Sequence, residues 1–445
     1  MRDILLVLVF PALLYFIFRR PYIGVSLWIW SAMFFPNGWV WGFASSFRYN
    51  MLIAVATILS YVLQKNKLKT DGSALTVLIL FFFIWSTISS ILTISNPDVV
   101  WFEWNVFFKI VIFYVLCILT IKTKHHVNVF MWAISLSAAY FGAGEGLKYF
   151  VTIGGHTIEG IPGSRLSDRN ELALALNMTI PIIIFLFTQT KSKWLKIALA
   201  GAISLNVLAI LGSYSRGGLL GLLVLAGYFF LQSKRKVLVS ILLIFAVSIS
   251  SLFVSDEWTE RMDTIETMDQ DASFLGRVLA WKQATLMAID HPIFGGGFKA
   301  GQNQVIWIMY EPEFYKLDFI VDTSGFTVNK AKAAHSIYFQ VLGDQGFVGL
   351  FIFLIILLVA YRKLSWVTKH SQDEWVINLA RMLKVSLVAY CAGGAALSLP
   401  YFDLSFALFA LTHVLTELVN KEKKSANLTG RKNHVTHGRR NLAYD

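Results

Sequence analysis

Apolar runs of about 20 residues, the length a helix needs to cross the hydrocarbon of a bilayer, recur along this chain. They lie near 22–40, 49–63, 74–93, 105–121, 128–150, 171–188, 195–212, 217–232, 237–254, 337–360, 376–397 and 400–419. The pattern predicts an all-α fold, a polytopic bundle of about twelve transmembrane helices. A shorter run at 4–18 either spans or lies at the interface. The polar intervals are short with one exception, residues 255–334. Within that segment Phe274, Val278, Trp281 and Leu286 recur at helical spacing, so it is expected to form an ordered, partly helical cap. Four regions follow: N-terminal spans 1–254, the cap 255–334, C-terminal spans 335–419, and a polar, basic stretch 420–445 without apolar periodicity, expected to be a disordered tail.

Composition agrees, since 56% hydrophobic and 15% charged residues cannot build a water-soluble surface. The net charge of +12 does not indicate nucleic acid, because the cations form short clusters between apolar runs. Arg19-Arg20, Lys65 to Lys69, Lys122 to His126, Lys191 to Lys196, Lys234 to Lys236, Arg362-Lys363 and Lys421 to Lys424 fall in every second loop. Basic loops stay in the cytoplasm, which puts the C-terminus there and residues 255–334 on the opposite face. Cys117 and Cys391 sit in apolar runs, so neither a disulfide framework nor a cysteine metal site is indicated. The first run is followed by Arg19-Arg20-Pro21 without a small-residue cleavage site, so it is expected to remain in the mature chain.

Cations on the face that the orientation rule keeps poor in them are the anomalies. Arg216 lies in Gly212-Ser-Tyr-Ser-Arg-Gly-Gly218 at the junction of two runs. It either anchors a helix end at the headgroups or forms an anion site, because a guanidinium fork matches phosphate oxygens. Arg277 belongs to the cap helix, where an arginine is ordinarily just solvated. His335 opens the predicted helix His335-Ser-Ile-Tyr338 at the border of cap and membrane, as a cap neighbour or as a base that titrates near neutrality. Arg165 and Arg169 are further cations on that face, and Asp168 and Asn170 are good capping residues for the run that follows. Lys109 and Lys148 read as snorkelling side chains. Paired metal-binding acids, a phosphate loop and a serine-nucleophile elbow do not stand out, so no cofactor or metal is expected.

Ser213-Tyr-Ser-Arg-Gly-Gly218, Gly276-Arg277 with Trp281, His291-Pro-Ile-Phe-Gly-Gly-Gly297, and His335-Ser-Ile-Tyr338 with Gly346-Phe-Val-Gly349 resemble the bacterial O-antigen ligase family in residues and order. The stretch from Asp168 to Pro181 resembles its exosortase-associated O-glycosylation ligase subgroup. The resemblance implies a metal-independent, inverting glycosyltransferase of lipopolysaccharide biosynthesis in the bacterial inner membrane. Its donor would be an undecaprenyl-pyrophosphate-linked glycan and its acceptor the lipid A core, or a protein. The family's two arginines fall on Arg216 and Arg277, as pyrophosphate ligands, and its histidine falls on His335. Arg165 and Arg169 are weaker candidates for donor or acceptor contacts. An O-antigen polymerase or a protein O-oligosaccharyltransferase would share the scaffold and differ in acceptor. A non-catalytic flippase would instead carry its ionisable residues near mid-membrane.

Overall fold

The computed structural model describes residues 1–233, 235–237, 240–241, 272–326 and 328–440. The run expected at 237–254 and the acid-rich start of the cap fall largely outside them. Among the described residues every regular element is helical. The membrane part comprises α1 (Arg2–Arg19), α2 (Pro21–Phe34), α3 (Tyr49–Leu63), α4 (Ala74–Ile91), α5 (Pro97–Thr120), α6 (Lys124–Val151), α7 (Arg169–Gln189), α8 (Lys193–Gly212) and α9 (Arg216–Gln232). Seven helices in the described residues are long and apolar enough to cross a membrane, and α2, α3 and α9 are shorter apolar helices. The cap contributes α10 (Ala272–Asp290) and α11 (Gln304–Tyr310), and the chain closes with α12 (Ile337–His370), α13 (Glu374–Gly393) and α14 (Asp403–Arg440).

Helix α7 sits at the centre, packed against α6, α8, α9 and α13. It is apolar on nearly every face, as a helix surrounded by protein must be. Its fully buried amide, Asn177, donates to Ala173 O (3.0 Å) and across to Gly218 O (2.9 Å) on α9. A Cβ on Gly218 would stand 2.7 Å from Ala173 Cβ, and one on Gly221 2.8 Å from Asn177. The glycines after Arg216 therefore let α9 lie directly on α7.

The loops separate by end. Lys122 meets Glu417, Lys124 meets Asp373 and Lys424 meets Asp71, which gathers the basic loops at one end. The cap lies at the other. It has a small core of its own, including Leu279, Leu286, Met287, Trp307, Tyr310 and Phe314. Lys282, buried there, pairs with Asp318 and donates to Thr323 Oγ1 (2.8 Å), and the ammonium holds the Asp318 carboxyl below the usual range.

A glycine seam fastens the cap to the membrane helices. Gly296 and Gly297 donate to Gly343 O and Asp344 O, and Phe347 donates to Pro292 O, each at 2.9 Å. Ser89 of α4 donates to Phe294 O (2.6 Å). These bonds exist because α12 breaks at Gly346, φ 70°, which releases backbone groups from the helix ladder. A Cβ on Gly295, itself at φ +66°, would stand 2.5 Å from Gly346 N. The triple glycine is thus a zone of backbone-on-backbone contact rather than only a turn.

Two expectations need correcting. His335 does not open a helix: at φ 43° it is left-handed, and α12 starts at Ile337 with Ser336 as its cap. The stretch after residue 419, read by composition as disordered, continues α14 as helix to Arg440. A helix already nucleated by packed membrane turns extends at little cost per residue.

Candidate active site at the cap–membrane border

Three chain segments converge beneath the cap. The first is the cap end of α5, which presents Glu103. The second is the loop before α7, folded back on itself by the Ile161 N–H to Leu166 O bond (2.6 Å) with Gly163 at φ +77°. That turn projects Arg165, whose Nη2 meets Glu103 Oε2 at 2.9 Å. Asp168 then caps α7 by accepting the Asn170 N–H (2.7 Å), as its residue type suggested. The third is the turn that leaves the glycine seam, where Lys299 adopts φ 55° and donates its backbone N–H to Asp344 Oδ1 (2.9 Å). Its ammonium reaches Glu103 Oε1 at 2.8 Å. One carboxylate, its side chain only 11% exposed, therefore holds two cations drawn from segments far apart in sequence.

These side chains line a cavity of about 160 Å³ with Phe107, Glu171, Gln340, Ser398, Tyr401 and His335. His335 stands at the junction of cap and cavity. Trp281 of α10 donates to Ala334 O (2.6 Å) and stacks on Phe339 (5.0 Å between rings), clamping the chain on both sides of the histidine. Left-handed backbone in a non-glycine residue is strained by about 1–3 kcal/mol, and such strain concentrates at functional positions. Burial first, then the charge of Arg277, hold the imidazole below its ordinary pKa; Asp168 pulls it up and Lys332 down.

The cavity's far wall, Ser398 to Tyr401, follows the 3₁₀ turn Gly394–Ala396, and that turn is packed against the start of α9. A Cβ on Gly217 would stand 3.3 Å from Ala396 Cβ and 3.4 Å from Gly393 O.

Residues 199–354 match the family model described as O-antigen ligase, and residues 1–191 match a family of unknown function (DUF5935). The chain is a multi-pass membrane protein, and its residues 199–354 are similar to the O-antigen ligase family. No curated protein matches it. The matched region runs from α8 through the cap into α12, so it contains Arg216, Arg277 and His335. The cavity is not confined to it. Glu103, Arg165 and Glu171 come from the other matched region, and Ser398 and Tyr401 from beyond both.

Of the residues singled out in the sequence, His335 and Arg165 line the cavity, and Arg277 is near enough for its charge to act on His335. Arg216 opens α9, joined to the cavity wall through Gly217 and the 393–397 segment, and Arg169 opens α7 one residue after the Asp168 cap. Glu103, Glu171, Lys299, Gln340 and Tyr401 were not singled out. The available signals were a charge at the edge of an apolar run, for Glu103 and Glu171, and a cation on the cation-poor face, for Lys299; nothing local marked Gln340 or Tyr401.

Proposed function

We propose that this protein is a glycosyltransferase that moves a glycan from undecaprenyl pyrophosphate to a hydroxyl of the lipid A core. The site would face the periplasm at the bacterial inner membrane, with the C-terminus cytoplasmic. The observation that carries the reading is His335, strained and half-buried, on a polar cavity at the border where a lipid-borne donor and a water-facing acceptor can meet. In this mechanism Arg216 and Arg277 bind the donor pyrophosphate and stabilise the charge that grows on it as the bond from the sugar C1 to the phosphate oxygen breaks. Because its pKa is depressed, His335 is neutral at pH 7 and can take the proton of the attacking hydroxyl. The acceptor oxygen bonds to C1 from the face opposite the leaving group, which inverts the anomeric centre and releases undecaprenyl pyrophosphate. Charge neutralisation is assigned to the guanidinium groups, so the reaction is expected to proceed without a divalent metal.

The test is transfer in vitro by the purified full chain, with lipid-linked glycan, lipid A core and EDTA present. Glycan-shifted lipid A core is the expected product, and its loss in Arg216→Ala, Arg277→Ala and His335→Ala is expected without loss of membrane insertion. Near-normal transfer in all three variants would overturn the site assignment. A shift on a protein or on the glycan itself would instead identify an O-oligosaccharyltransferase or a polymerase.

A further inference from the structure

We infer that the cavity beneath His335 is the binding subsite for one uncharged sugar ring of the acceptor, with Gln340, Ser398 and Tyr401 as its specificity residues; this rests on the transfer reading above. The first ground is charge balance. The cavity-lining cations Arg165 and Lys299 both already engage the Glu103 carboxylate. A wall paired within itself offers donors and acceptors to hydroxyls and little net attraction to a phosphate, unlike the arginines assigned to the donor.

The second ground is unspent hydrogen-bonding capacity. Gln340 Oε1 and Ser398 Oγ are buried side-chain atoms without a hydrogen-bond partner in the protein, and both residues line this cavity. A buried polar atom left unpaired is disfavoured, and two on one cavity from segments some 58 positions apart (340 and 398) point to a ligand with several hydroxyls.

Shape gives the third ground. At about 160 Å³ the space is many times the ~10–15 Å³ that one water needs, which leaves room for a ring rather than a single water. Its aromatic wall is rigid, because Tyr401 packs on Phe298 (4.8 Å) and Phe107 (4.9 Å), and such a face suits the C–H face of a sugar. An extended peptide carrying a serine or threonine would leave most of this surface unmatched. With His335 on the same cavity, the ring that fills it is the one whose hydroxyl gives up its proton, hence the acceptor's.

The experiment measures acceptor and donor KM separately for the full chain in detergent, using lipid A core as acceptor, with Gln340→Leu, Ser398→Ala and Tyr401→Leu, the last of which removes the aromatic face. Each substitution is expected to raise acceptor KM about 2- to 10-fold and leave donor KM unchanged. A neutral methyl hexopyranoside is expected to compete with the acceptor only, and to raise the thermal midpoint of the wild type more than that of the variants. Transfer with unchanged acceptor KM in all three variants, or with only donor KM moved, overturns the subsite. Wild-type protein that fails to transfer, yet is stabilised by the glycoside and loses that stabilisation in the variants, retains the subsite and refutes the transfer reading. Neither transfer nor stabilisation overturns both.

Discussion

Two charge clusters sit near opposite ends of α5, and they use the same chemistry to different effect. At the cap end Glu103 holds Arg165 and Lys299, both about one-third exposed, and the group opens onto a cavity. At the other end Lys122 meets Glu417 at 3.0 Å with both side chains nearly sealed, at 2% and 3% exposure. Thr70 accepts from the same ammonium (2.6 Å), while His413 bonds Thr76 (2.9 Å), which in turn bonds Tyr114 (2.7 Å). The sealed cluster ties α14 to α4 and α5. The open one has a strained histidine and a cavity beside it. Exposure of a charge network, rather than its presence, is what separates a site from a fastening.

Predictions test that contrast, beginning with the largest effect. His335→Ala is expected to lower the transfer rate by about 10²- to 10⁴-fold, the usual contribution of a positioned base, with the thermal midpoint little changed; a rate near wild type would remove the histidine from the chemistry. Glu417→Ala leaves Lys122 buried without its carboxylate and is expected to destabilise by about 3–5 kcal/mol. Lys122→Met combined with Glu417→Leu should recover most of that in detergent unfolding. If the double variant stays as unstable as the single one, the cluster is more than a fastening.

Gly295→Ala places a Cβ 2.5 Å from Gly346 N at a left-handed position and is expected to lose about 1–3 kcal/mol, read as faster proteolysis of the cap. Glu103→Gln, at the partly exposed cluster, should change stability by no more than about 1 kcal/mol and yet lower kcat/KM for transfer. Equal loss of stability at Glu103 and Glu417 would erase the distinction between the two ends. The smallest effect is on pH dependence. Because burial and Arg277 depress the His335 pKa, the neutral base persists as pH falls through the ordinary imidazole range, and the acid limb of log kcat/KM should lie below 6.5. Removing the Lys332 charge in Lys332→Gln should move that limb up, and Asp168→Asn should move it down.

Most of the bundle was legible because a helix in hydrocarbon must be apolar for its whole length, and that requirement is written locally. The run read at 49–63 became α3 with those bounds, and those read at 74–93 and 171–188 became α4 and α7 within a few residues. The Asp168 cap was legible for the same reason, since a capping bond spans two residues. Asp168 shows the limit as well, because its further effect on His335 arises across a cap that only the fold closes.

By itself the sequence determined the helical class, the alternation of basic loops, the separate cap and the candidacy of Arg165, Arg216, Arg277 and His335. Tertiary structure alone decided that Arg165 and Lys299, 134 positions apart (165 and 299), share the Glu103 carboxylate, and that Gly295 to Gly297 form a seam against a broken α12. It also decided that His335 stands outside its helix in a strained turn. The physical reason is range. Hydropathy and capping act over neighbouring residues, whereas ion pairing, backbone-on-backbone contact and the enclosure of a cavity depend on which distant segments the packed bundle brings within a few ångströms.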